Sequence, residues 1–271
     1  MTELVIVAGA TAASVVALMF GVWIAGLIRR DASIVDTFWG LGFVMIASIA
    51  NVLSHGYAPR RFLVLMLVGF WGLRLAWHIA LRSVGRGEDP RYAAMRAKFG
   101  DAFWWKSLFV VFVLQGVLMW VIALPILVVQ TADGPARLGV VDGSGLLVFA
   151  AGLIIEMTAD QQLVEFRARP ENRGRVLDTG LWRWSRHPNY FGECLIWWGL
   201  WLLCSSAPFG FWTIVSPIVV TVLLVRVSGV PMLEGHLRTN RPGYDDYVRR
   251  TSAFVPWFPK QPEQADGGSN L

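Results

Sequence analysis

The sequence is poor in charge, poor in cysteine and has no glycine-rich phosphate loop, and each shortage removes a class of protein. Charged residues make up 16% of the 271 residues against 55% apolar ones, and mean hydropathy is +0.51, too apolar for a water-soluble globule of this size. The two cysteines, Cys194 and Cys204, lie in one apolar segment, which is neither a disulfide framework nor a metal-ligand spacing, so both read as packing residues. No cluster of His, Cys and carboxylates suggests a metal, and no nucleophilic triad is evident. No G-x-G-x-x-G turn is present, so any nucleotide site has to be built between helices. There is no alternating barrel pattern, no internal repeat and no soluble second domain. The first apolar stretch lacks a basic n-region, is too long for an h-region and is followed by Arg29 and Arg30; it is expected to be a retained helix rather than a signal peptide.

What is present is a series of apolar stretches, most of them about long enough to cross a hydrocarbon core of roughly 30 Å as a helix. They run approximately over 4–28, 34–53, 62–81, 108–129, 145–157 with an amphipathic continuation, 190–204 and 209–227. Backbone groups in lipid must be satisfied within their own segment, so the spans are helices. The expected fold is all-α, a polytopic membrane protein with about seven transmembrane helices. One domain is expected over 1–259, with a flexible tail over 260–271 that is rich in Pro, Gln, Asp, Gly and Ser.

A net charge of +5 would point to nucleic acid in a soluble protein. Here the cations lie between spans, orientation explains part of the excess, and no nucleic-acid partner is expected. Arg29 and Arg30 place the first loop in the cytoplasm and the N-terminus outside. Residues 82–106 and 165–186 each carry six Lys or Arg against three acids and fall inside, whereas 131–144, with one Arg against two Asp, and the uncharged 205–208 fall outside. The segment 55–61, with Arg60 and Arg61, is the one discordant loop. The C-terminus is then cytoplasmic, and the two basic loops and the Arg-rich tail surround one entrance on the cytoplasmic face of a bacterial inner membrane or its equivalent.

Chemistry concentrates in Thr179-Gly180-Leu181-Trp182-Arg183-Trp184-Ser185-Arg186-His187-Pro188-Asn189-Tyr190-Phe191-Gly192-Glu193, a turn rich in cations and hydrogen-bonding groups that runs straight into an apolar helix. Pro188 suits a first helical turn, where its missing donor is no loss. Asn189 and Glu193 share a helix face, with Trp197 one turn further. An acid in an apolar run costs roughly 2.5–3.5 kcal/mol at a helix centre on insertion scales, less near an end, so Glu193 faces protein or a polar cavity. It is either a structural partner of a nearby Arg or part of a ligand pocket, and the pocket is favoured. Asp160 and Arg167, seven apart, share a face of the preceding helix, followed by Arg173 and Arg175. The third span holds Arg74 and His78 at i, i+4 and continues to Arg82 and Arg86. Arg226 closes the last span, and Tyr244, Tyr247, Arg249 and Arg250 follow. A single arginine here reads as a topology signal, but five segments that deliver arginines to one side suit a ligand with several phosphates, whose oxygens guanidinium groups hold bidentately. That supply leans toward NADPH over a sulfonium methyl donor, which carries no phosphate.

The stretch 180–197, with His187-Pro188-Asn189-Tyr190-Phe191-Gly192-Glu193 at its centre, resembles the C-terminal signature of the steroid 5-alpha-reductase family and its bacterial relatives. The similarity reaches back through Asp160 and Arg167 and forward to Arg226 and Phe254-Val255-Pro256. The shorter Arg-His-Pro-x-Tyr core is also shared with isoprenylcysteine carboxyl methyltransferases and sterol reductases. The resemblance implies a seven-helix reductase that holds NADPH in a cytoplasm-facing cavity and reduces the carbon–carbon double bond of a 3-oxo-delta-4 steroid. Asp160, Arg167, Arg175, Asn189, Glu193, Trp197, Arg226 and one of Arg249 or Arg250 would contact the cofactor. Arg74, Arg86, Tyr190 and Tyr247 join them as cofactor-binding candidates.

Hydride delivery to the far carbon of an enone pushes negative charge onto the carbonyl oxygen, where a donor is needed. The candidate is Asp36, early in the second span, acting as a protonated carboxyl kept neutral by desolvation. The family has Gln followed by Glu at a comparable place, where this chain has Val35-Asp36. Trp39, on the same face, and Trp71, roughly where the family supplies a Tyr hydroxyl, would line the substrate slot. His187 reads as a capping or packing residue of the turn. The expected substrate is a hydrophobic, steroid-like molecule that enters from the lipid, and a monomer is expected. The rival enzyme is an S-adenosylmethionine-dependent membrane methyltransferase; the non-enzymatic rival is a transporter or structural membrane protein.

Overall fold

The computed structural model describes residues 2–227 and 229–260, so most of the expected tail lies outside the described residues. Among the described residues every regular element is a helix. Six helices are long and apolar enough to cross a membrane: Thr2–Arg29, Ile34–Leu53, Ala58–Ser83, Pro90–Ile122, Val140–Ala168 and Gly210–Thr239. That is the make-up of an integral membrane protein. The sixth expected span, 190–204, forms a helix, Pro188–Ser205, but is not among those six; Asn189, Glu193 and the indoles of Trp197, Trp198 and Trp201 dilute its apolar run. The chain groups into two compact units, one of Met1–Gly145 with Leu200–Ser216, the other of Leu146–Gly199 with Pro217–Leu271.

In the first unit, α1 (Thr2–Arg29), α2 (Ile34–Leu53) and α3 (Ala58–Ser83) lead the chain. The α2–α3 pair packs backbone on backbone at two glycines. A Cβ on Gly40 would stand 2.3 Å from the Gly72 carbonyl oxygen, and one on Gly72 would stand 2.6 Å from that of Gly40. Small residues permit this close helix approach in lipid, where packing replaces the hydrophobic drive. The contact seats Trp71, next to Gly72, at 0% exposure. Outward-facing Val16, Phe70, Trp77 and Val117 stay exposed, as expected of faces that meet lipid.

The fourth span begins with α4 (Pro90–Phe99), capped by Asp89, whose side chain accepts from the Arg91 amide at 2.9 Å. Pro90 at the first position fits the cap geometry. The span continues through α5 (Phe103–Ser107), a π-helical turn over Leu108–Val113 and α6 (Leu114–Ile122) to α7 (Leu124–Thr131). At the far end of α3, Arg60 is buried. Its Nε donates to Asp142 Oδ1 at 2.7 Å and its two Nη atoms reach the Pro135, Arg137 and Asp142 oxygens at 2.8–3.2 Å.

The second unit is built on α8 (Val140–Ala168) from residue 146 onward, on most of α9 (Pro188–Ser205) and on α10 (Val215–Val222), a second π-helical turn over Leu223–Val227, α11 (Val230–Asn240) and α12 (Tyr244–Arg250). Gly152 of α8 meets Gly192 of α9, and a Cβ on Gly192 would stand 2.6 Å from the Glu156 amide nitrogen. The glycine in the signature is therefore a close-packing residue. Gly229, whose Cβ would be 2.3 Å from the Leu224 carbonyl oxygen, marks the break that separates the π turn from α11.

Candidate functional site

The signature turn folds as a short 3₁₀ segment over Gly180–Arg183 and enters α9 at Pro188. Trp182 anchors it by packing with Ala159, Leu163, Phe166 and Leu177, and by donating its indole N–H to the Ala159 carbonyl at 3.1 Å. The tail closes over the turn from about 65 residues away. Tyr247 donates its hydroxyl to the Trp182 carbonyl, Ser185 Oγ donates to the Phe254 carbonyl at 2.7 Å, and the Arg186 amide donates to the Ser252 carbonyl at 2.9 Å.

Arg186 is fully engaged here. Its Nε donates to Glu234 at 2.8 Å and its Nη1 to the Thr251 and Val248 carbonyls at 2.5 and 3.2 Å. His187 Nε2 lies 3.1 Å from the same Glu234 oxygen and its ring stacks on Tyr190 at 5.5 Å. Glu234 on α11 thus ties the signature to the closing part of the last long helix. Burial pushes the Tyr244 phenol up to about 12 and raises that of Tyr247 as well, so both are neutral hydroxyls at physiological pH.

Beside this framework the second unit presents the polar residues that the sequence singled out. Asn189 Nδ2 donates to Asp160 Oδ1 at 3.3 Å, joining α9 to α8, with Asp160 buried. Glu193 and Tyr190 are half-buried and Trp197 is buried. Arg167, Arg175 and Arg226 are exposed, the last on the π turn. Arg249 pairs with Asp246, and Arg250 with Asp178 at 3.4 Å. Glu156, one turn before Asp160 on α8, is also buried.

The first unit holds the other expected residues: Asp36 and the half-buried Trp39 on α2, buried Trp71 and half-buried Arg74 on α3, and exposed Arg86 in the loop after it. The Trp71 and Trp39 rings both contact Phe43, at 5.6 and 5.3 Å. Asp36 is held through both carboxylate oxygens. Its Oδ2 accepts from Arg91 Nη2 at 2.7 Å and its Oδ1 from the Tyr92 hydroxyl at 2.7 Å. Gln115 Nε2 donates to the same Tyr92 oxygen at 3.1 Å. Arg91 also bonds Asp89, whose backbone amide donates to Ser33 Oγ at 3.3 Å. Glu88 accepts from the Ala32 amide at 2.8 Å and from Arg96 at 2.7–2.9 Å. Burial disfavours charge on Glu88 and Asp89, yet Arg96 and the Ala32 amide hold the first carboxyl below its usual range, and Arg91 holds the second.

Arg91, Tyr92 and Gln115 escaped the sequence reading. The signal was faint: the Asp89-Pro90 cap announces a helix that starts in a loop expected to be only basic. Among the described residues no three His, Cys, Asp or Glu side chains gather in a way that could hold a metal ion.

The family described as a protein of unknown function, DUF1295, matches residues 22–251. An uncharacterized protein of Schizosaccharomyces pombe is 27% identical over 211 residues, 68% of this chain and 61% of the relative. Steroid 5-alpha-reductase DET2 of Gossypium hirsutum is 26% identical over 115 residues, 42% of each chain. The chain therefore spans about three fifths and two fifths of the lengths of these two relatives. No solved structure matches it.

Proposed function

Taking as premise that the chain belongs to the DUF1295 family, we propose that it is a membrane reductase that uses NADPH to reduce the C=C bond of a hydrophobic enone, the delta-4 bond of a 3-oxo steroid being the leading case. One observation carries this reading. The signature acid and amide, Asp160 and Asn189, meet at 3.3 Å where the polar ends of α8 and α9 pack, with Asp160 buried, so the acid is turned toward protein and a polar partner rather than toward open water. The partial similarity to a steroid 5-alpha-reductase supports it.

The cofactor supplies a hydride when bound. The residues of the second unit that would hold it are Arg167, Arg175, Arg226, Arg249 and Arg250 for phosphate oxygens, Asp160, Asn189 and Glu193 for hydroxyl and amide groups, and Tyr190, Trp197 and Tyr247 for packing. Charge that develops on the enone oxygen needs a donor, and Asp36 takes that part. As placed it accepts from both Arg91 and Tyr92, so it donates only after taking up a proton, to which its 19% exposed side chain has access. Trp39 and Trp71 would line the apolar slot. In this reading a monomer works with its C-terminal side in the cytoplasm, where the cofactor is made and reduced.

The test is absorbance at the nicotinamide band as purified protein is incubated with NADPH and a panel of enones, beside thermal shifts with NADPH and with S-adenosylmethionine. The expected result is enone-dependent oxidation and stabilisation by NADPH alone. Stabilisation by S-adenosylmethionine alone, with no enone consumed, overturns the proposal.

A further inference from the structure

Three aromatic rings stand in the open beside the signature turn of the second unit. Trp184 is 38% exposed, Trp257 69% and Phe258 72%. They form one cluster: Trp184 meets Phe258 edge-on at 5.2 Å, and Phe258 meets Trp257 at 6.3 Å. The backbone beneath them is fixed. The Ser252 carbonyl accepts from the Arg186 amide at 2.9 Å, the Phe254 carbonyl accepts from Ser185 Oγ at 2.7 Å, and the Trp257 amide donates to the Trp184 carbonyl at 2.9 Å. A segment tied down this firmly, with its largest apolar groups turned outward, presents those groups to a partner.

The height of the cluster on the helices identifies the partner. The turn that carries Trp184 is fastened to α8 at Ala159 by Trp182 and at Gln162 by the Leu181 amide, at 3.1 and 3.0 Å. Helix α8 starts at Val140, so Ala159 lies roughly 28 Å along it at 1.5 Å per residue, close to the roughly 30 Å of a hydrocarbon core. Beyond that point α8 turns polar, through Gln161, Gln162, Glu165 and Arg167. The rings therefore sit where apolar sequence gives way to water. Exposed Arg183 and Lys260 flank them, and among the described residues neither takes part in an ion pair. Amphipathic rings beside open cations match the headgroup layer of a bilayer, where indoles settle and basic side chains find lipid phosphates.

We propose that residues 252–260, together with Trp184, form an interfacial anchor whose partner is the phospholipid bilayer. Trp184, Trp257 and Phe258 seat among headgroups and upper acyl chains, and Arg183 and Lys260 meet lipid phosphates. The bilayer then holds the strap that holds Ser185 and Arg186, the residues leading into α9. This anchor does not depend on the reductase reading.

The experiment uses the full chain in phosphatidylcholine vesicles containing phosphatidylglycerol. Because the protein has 14 tryptophans, the emission of Trp257 is read as the difference between the wild type and Trp257→Phe, which keeps an aromatic ring in place. Phosphatidylcholine brominated on the acyl carbons nearest the headgroup should quench at least half of that difference emission, and aqueous iodide should quench little of it. Strong quenching by iodide with none by the brominated lipid places the strap in water and overturns the proposal. Quenching only by lipid brominated at the chain ends overturns it too, because the ring would then lie in the membrane core. A larger phosphatidylglycerol fraction should shift the difference emission to the blue in the wild-type background and not in Lys260→Glu; equal shifts remove Lys260 from the lipid contact.

Discussion

Two arginine–carboxylate pairs in the first unit lie at opposite ends of the antiparallel α2–α3 pair, and they differ in how completely they are satisfied. Arg60 and Asp142 have side chains only 1% and 4% exposed. Asp142 receives two guanidinium nitrogens and the Gly139 amide, and the rest of the Arg60 fork lies on the Pro135 and Arg137 carbonyls. That pair is sealed and can only hold chain to chain. Arg91 and Asp36 are 37% and 19% exposed and share one contact at 2.7 Å. Their carboxylate is not sealed from solvent, and its second oxygen faces a phenol rather than another cation. Saturation thus separates a clamp from a candidate site where composition does not. It also accounts for the discordant loop: Arg60 is buried in its pair, and Arg61 donates to the Asn51 and Gly56 carbonyls, so neither is the free loop cation that an orientation rule counts.

The sharpest way to break this comparison is to remove one side of the sealed pair. Arg60→Ala leaves Asp142 buried without compensation and should cost about 3–5 kcal/mol of stability, read as a lower unfolding midpoint in mild detergent. Arg60→Met with Asp142→Leu should recover most of the loss; a single-variant loss below about 1 kcal/mol would mean that the pair is not sealed. At the open pair the balance reverses. Asp36→Ala should lower enone turnover by about 100-fold or more, in keeping with the loss of a positioned acid, while NADPH still stabilises the protein and unfolding shifts by only about 1 kcal/mol. Normal turnover in that variant removes Asp36 from the chemistry. Between these lies Gly72→Ala. Its Cβ would stand 2.6 Å from the Gly40 carbonyl oxygen, and forcing α2 and α3 apart should cost about 1–3 kcal/mol.

Much of the fold was legible because lipid imposes a length on each helix. The expected span 34–53 coincides with α2 (Ile34–Leu53), and Pro188 opens α9 as its missing donor suggests. The fourth span was placed too late, over 108–129. Its helix already begins at Pro90, under the Asp89 cap, within a charged stretch that hydropathy alone reads as a loop. The expected sixth span, 190–204, is a helix whose tryptophans and polar first turns keep it below the apolar standard of the other six. The candidate site was legible in part. Asp160 and Asn189 were each named by the resemblance as cofactor contacts, with no expectation that they touch, and their side chains meet at 3.3 Å. Glu234 was not foreseen, because its partners Arg186 and His187 lie 48 and 47 residues away. Tyr92 and Asp36 are likewise 56 residues apart, and no periodicity encodes such a meeting.

Smaller effects sharpen the same contrast. Tyr92→Phe removes the donor to Asp36 Oδ1 and leaves Arg91 in place. Losing one hydrogen bond should cost about 1 kcal/mol and lower turnover by about 5-fold, that energy converted to rate, with cofactor affinity unchanged. A fall in cofactor affinity instead would assign Tyr92 to binding.

The smallest expected effect is a dependence on pH at the mouth of the open pair. Glu88 and Asp89, in the loop before α4, have folded-state pKa values held below the ordinary carboxylate range; burial opposes the charge, but Arg96 and Arg91 outweigh it. As pH falls through the ordinary range, near 4, the unfolded chain takes up these protons before the folded one does. The stabilisation is therefore complete above that range and lost as pH drops through the lower folded values. Both arginine partners are more than a third exposed, at 37% and 38%, so solvent screening keeps each contribution below about 1 kcal/mol. The unfolding midpoint should then be flat from about pH 7 to 5 and fall below about pH 4.5, in the window set by ordinary carboxylates. Glu88→Gln with Asp89→Asn should flatten part of that fall. If the wild-type and double-variant profiles run parallel across the window, the loop carboxylates carry no linked stability, and the open pair stands without their support.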